Sequence, residues 1–166
     1  MKMYDVDEII EGLARLGYDE VLAYWIKGER EEAGFYRELA TRARDLGLGE
    51  EPVKTFEKLS EDSLNHAREL ERYLKSRYGD NPVKAPDLQP IEVLPVIDGL
   101  ERADRLEEVL RFAMESELIA HRSYRALAER VDDPELAELY RKLAEVEKGH
   151  YEMLRKMYEE IKERRG

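Results

Sequence analysis

Apolar residues recur along most of this chain at the three- and four-residue spacing of helices that bury one face. From about Asp19 to Leu46, the positions Leu22, Trp25, Ile26, Phe35, Tyr36 and Leu39 keep that spacing, and Gly47-Leu48-Gly49 breaks it. A second amphipathic stretch runs from about Pro52 to Tyr78 and stops at Gly79-Asp80-Asn81-Pro82. A third runs from about Glu101 to Val131 and a fourth from about Asp133 to Arg164, where Pro134 suits a first helical turn. Ahead of these, Asp5 to Ala14 reads as a short helix. Asp5 and Glu8 are spaced as a capping box, and Gly17 closes it.

The breaks predict the topology. Short breaks follow the first and third long helices, so each joins an antiparallel pair. The stretch 79–100 instead holds four of the six prolines, Pro82, Pro86, Pro90 and Pro95. It is long enough to carry the chain back along a bundle. The pattern predicts an all-α fold in a single domain over 1–166. That fold is a four-helix bundle with one long crossover at about 79–100 and a short N-terminal helix. The segment PIEVLPVIDGL (90–100) is apolar for a connection. It is expected to cover one end of the bundle or to pack against a second subunit in a homodimer.

Composition narrows the function classes. The 166 residues are 42% hydrophobic and 40% charged, with a mean hydropathy of −0.71, which describes a folded core under a charge-rich surface. The formal net charge of −11 and the lack of a basic stripe argue against nucleic acid as a partner. No apolar run reaches the roughly 18 residues a membrane span needs. The start, MKMYDVDEII, lacks the basic and apolar segments of a secretory signal. A cytoplasmic protein without a membrane partner is expected. The absence of cysteine excludes disulfides, thiol catalysis and cysteine-based metal sites. One glutamine (Gln89), two asparagines (Asn65, Asn81) and abundant Glu, Lys and Arg are a thermophile's composition.

Candidate chemistry lies in an internal repeat. LAEVEKGHYEML (143–154) and LSEDSLNHAREL (59–70) share Leu, Glu and His at the same offsets, pairing His150 with His66. GEREEAGFYRELATRA (28–43) aligns with SELIAHRSYRALAERV (116–131), pairing Glu29 with Glu117 and Tyr36 with Tyr124. The offsets are 84 and 88 residues, and the difference fits a longer first loop. Glu147 and His150 stand three apart on one helix face and converge on one point. Carboxylates buried without a partner shift their pKa until they neutralise, so several carboxylates gathered with two imidazoles call for cations. The two-metal bundle template takes one Glu from each of two helices and Glu-x-x-His from each of the other two.

On these residues the chain resembles the rubrerythrin branch of the ferritin-like di-iron carboxylate proteins. The resemblance covers roughly 19–160 and is carried by Glu29 with FYRELA (35–40), His66, Glu117 with SYRALA (123–128), and Glu147-x-x-His150. It implies a ferritin-like bundle with Glu29, His66, Glu117, Glu147 and His150 as metal ligands. Glu29 and Glu117 would be terminal ligands, Glu147 a bridge, and each histidine would serve one metal. It implies two irons that reduce peroxide or oxygen, with electrons from a separate donor protein. The family's rubredoxin domain needs cysteines, so these residues do not supply it.

One position departs from that pattern. Ser63 stands where a second Glu is due, and a hydroxyl cannot bridge two metals. Asp62, one residue earlier and sharing the face of His66, is the available substitute. If it serves, the pair is complete; otherwise the site holds one metal, or a second weakly. Manganese and zinc remain alternatives to iron. His121, one turn after Glu117, is a second compensating residue or a hydrogen-bonding neighbour of the site. Glu32 reads as a solvated member of the GEREE run, with ligation as the alternative. Tyr36 and Tyr124 read as core residues orienting carboxylates. Three functions follow: a di-iron oxidoreductase, a metal-binding or structural bundle with impaired redox activity, or an iron uptake and storage protein.

Overall fold

The structure, a computed structural model, describes residues 6–88 and 106–165. Five helices and no strand are present among them: α1 (Val6–Ala14), α2 (Tyr18–Asp45), α3 (Glu50–Tyr78), α4 (Leu106–Arg130) and α5 (Pro134–Arg165). Most of the predicted crossover, the segment 90–100 and the expected start of the third long helix at Glu101 lie outside the described residues. The remainder of the predicted connection, 80–88, is non-helical, as its prolines require.

The helices form two compact units, one built on α2 and α3, the other on α1, α4 and α5. In the first unit, α2 ends where its sequence stops supporting a helix. The Gly47 N–H donates to the Arg44 carbonyl at 3.1 Å and the Leu48 N–H to the Ala43 carbonyl at 3.0 Å. Gly47 has φ +65°, a left-handed conformation that a residue with a Cβ adopts at a cost. This Schellman turn lets α3 start at Glu50 and run back antiparallel. Register follows from the contacts. The Ser60 hydroxyl donates to the Ala33 carbonyl at 2.7 Å, and the rings of Tyr36 and Phe56 stack at 6.4 Å. The core stripe of α2 includes Leu22, Tyr36 and Leu39, all buried, and Trp25, which is fully buried.

In the second unit the turn between α4 and α5 is set by a cap. Asp133 Oδ1 accepts hydrogen bonds from the backbone N–H of Glu135 (2.9 Å) and Leu136 (3.4 Å), and Pro134 fills the first helical position. Tyr124 of α4 stacks on Tyr140 of α5 with ring centres 6.3 Å apart. This pair occupies the positions that Tyr36 and Phe56 occupy in the first unit. The repeat seen in the sequence is therefore a repeat of packed helix pairs. Helix α1 packs on α4, and Arg130 pairs with Glu11 at 3.2 Å.

Candidate metal centre

Each helix pair brings acidic and imidazole groups together at repeat-equivalent positions. In the α4–α5 pair, Glu117 and Glu147 are fully buried and His150 nearly so. His150 Nδ1 lies 3.7 Å from Glu117 Oε1 and 3.8 Å from Glu147 Oε2. One ligand atom from each of the three lies within 4.8 Å of the others. These distances are too long for hydrogen bonds and suit groups arranged around a shared partner. In the α2–α3 pair, Glu29 is fully buried, and its Oε2 lies 3.6 Å from His66 Nδ1.

Electrostatics make the arrangement costly without a cation. Burial, and then the charge of neighbouring Glu117, push the Glu147 carboxyl up from its ordinary 4.5 to about 8. Among the described residues neither carboxylate oxygen of Glu147 accepts a hydrogen bond. A buried carboxylate with no donor is unfavourable. A divalent ion would supply the missing partner. The donors are carboxylate oxygen and imidazole nitrogen with no sulfur, which suits iron, manganese or zinc. The residues present therefore fit a metal.

The remaining positions divide. Asp62 is one-third exposed, and its Oδ2 lies 3.6 Å from Lys58 Nζ. Ser63 is fully buried, and its hydroxyl donates to Glu32 Oε1 at 3.2 Å. Glu32, read from the sequence as more at home on a solvated face, is instead 1% exposed. The helical period carries Glu29 and Glu32 onto one face of α2, while Glu31 stays exposed. His121 is part-buried, with Nδ1 2.7 Å from the Ala144 carbonyl, a contact that joins α4 to α5 beside the cluster. Tyr36 and Tyr124 are buried core residues, and Glu115 faces solvent.

The family model for rubrerythrin matches residues 20–158. The chain belongs to the rubrerythrin family. A solved structure of a hypothetical protein from Pyrococcus furiosus is similar to it, at 28% identity and a TM-score of 0.67. That match covers 90% of this chain and 93% of the other. No curated protein matches the sequence. The fold is thus an all-α, ferritin-like bundle, and rubrerythrin membership puts the chain among the di-iron carboxylate proteins and implies iron binding. No described helix is long and apolar enough to cross a membrane.

Proposed function

We propose that this rubrerythrin-family protein is a non-haem di-iron oxidoreductase acting on peroxide or oxygen. The observation that carries the reading is the fully buried Glu147, held beside Glu117 and His150 at distances longer than a hydrogen bond from the imidazole. The equivalent Glu29 and His66 support a second metal. Glu29, His66, Glu117, Glu147 and His150 would hold ferrous iron, which would supply the electrons for reducing the oxidant. The chain's own part is to bind, neutralise and shield. The carboxylates offset the cations' charge, the histidines supply one neutral donor each, and burial keeps bulk water from the centre. Binding a cation displaces the proton that Glu147 holds near neutral pH.

With no cysteine in the sequence, electrons would come from a separate donor protein. A homodimer is the assembly proposed for the chain. The test is anaerobic metal analysis followed by a peroxide challenge. Two irons per chain, with reoxidation of the reduced protein by peroxide on the timescale of turnover, is the expected result. Zinc or no metal, with no peroxide consumption by reduced protein, would leave a structural bundle in its place.

A further inference from the structure

The two helix pairs differ at one spot, and the difference is reciprocal. The offset of 84 that maps His66 onto His150 maps Ser63 onto Glu147. The offset of 88 that maps Glu29 onto Glu117 maps Glu32 onto Ala120. All four of these positions are buried. In one pair the acidic side chain, Glu147, comes from the second helix, and the matched position on the first, Ala120, carries only a methyl group. In the other the acidic side chain comes from the first helix and faces a small hydroxyl on the second. Long and short side chains have changed places, so the space is filled equally well either way.

We infer that Glu32 supplies the metal ligand that position 63 lacks, and that Ser63 is the positioning residue that aims it. This rests on the metal-pair reading above. Glu32 lies three residues after Glu29, on the face that brings Glu29 to His66. The Ser63 hydroxyl donates to Oε1 of Glu32, which holds the carboxylate in one orientation. Alanine, the small residue at position 120 of the other pair, could not do this. Asp62 is engaged with Lys58 and is not needed. Each helix pair then offers two carboxylates and one imidazole: Glu29, Glu32 and His66 in one, Glu117, Glu147 and His150 in the other. Four carboxylates balance the charge of two divalent ions, which a serine in place of one of them would not.

Anaerobic titration of the metal-free protein with ferrous iron, followed by metal analysis, tests the exchange. Two irons in the unaltered protein establish the parent reading, and their absence would refute that reading before any variant is made. Given two, Glu32→Ser is expected to weaken one of them by about 100-fold or more, and Ser63→Ala by about 10- to 100-fold, the usual cost of losing a group that orients a ligand. The double variant E32S/S63E restores the carboxylate from the other helix and should recover the second iron. That recovery is the deciding measurement, since it holds even where E32S alone folds poorly. Asp62→Asn should leave both irons in place. Unchanged binding in E32S, or a double variant that binds no better than E32S, would overturn the inference.

Discussion

Glu147 is the residue on which burial and charge act most directly. Its carboxyl is raised from 4.5 to about 8, so between those values the metal-free folded chain keeps a proton that the unfolded chain has released. The contribution of Glu147 to the stability of the metal-free protein should therefore be full below about 4.5, fall as pH climbs through that range, and be lost above about 8. Urea unfolding at pH 5 and pH 8 reads the slope, and Glu147→Gln should flatten it. Metal binding has the opposite dependence, since the ion must displace that proton. Affinity for ferrous iron or zinc should rise across the same window, with proton release measurable in weakly buffered solution. Glu147→Ala should lose metal while the metal-free fold survives, and unchanged metal content would remove α5 from the site. The sequence showed Glu29, His66, Glu117, Glu147 and His150 through matched spacing, and these histidines and glutamates do approach one another within each helix pair. Glu32 was hidden inside a charged run. Which of four neighbouring charges turns inward depends on the register against α3, which no local pattern encodes. The small residues at 63 and 120 in the aligned repeat were the signal that could have exposed it.

At the scale of elements, the breakers did what their chemistry demands. Gly47 ended α2 and Pro134 opened α5, each within a residue or so of the bounds expected from periodicity. Gly47→Ala forces a Cβ into a left-handed turn and should cost about 1–2 kcal/mol, visible as a lower urea midpoint with an unchanged slope. Phe56 is fully buried against Tyr36, and Phe56→Ala should cost about 3–5 kcal/mol in the same assay. The surface pairs are another matter. Arg44–Glu57 at 3.1 Å joins α2 to α3 between two exposed side chains, and breaking it should change stability by no more than about 1 kcal/mol.

For the whole molecule, metal and fold are linked. An ion that binds only the folded chain stabilises it by about 2.7 kcal/mol at a concentration 100 times its dissociation constant. Ferrous iron or zinc should raise the melting temperature, and a chelator should lower it again in the same sample. The family was legible because two helix pairs repeat one set of offsets, a long-range regularity that chance rarely builds. Assembly was not legible, since it depends on surfaces rather than on periodicity. Trp25, meanwhile, is the chain's single tryptophan, sealed from solvent and one turn ahead of Glu29 on α2. Its ultraviolet emission should be blue-shifted in the native state and move to longer wavelength on denaturation. An open-shell ion held near Glu29 would quench that emission, whereas closed-shell zinc would not. Unlabelled protein in a cuvette thus carries a built-in optical gauge, whose colour reports folding and whose brightness reports iron.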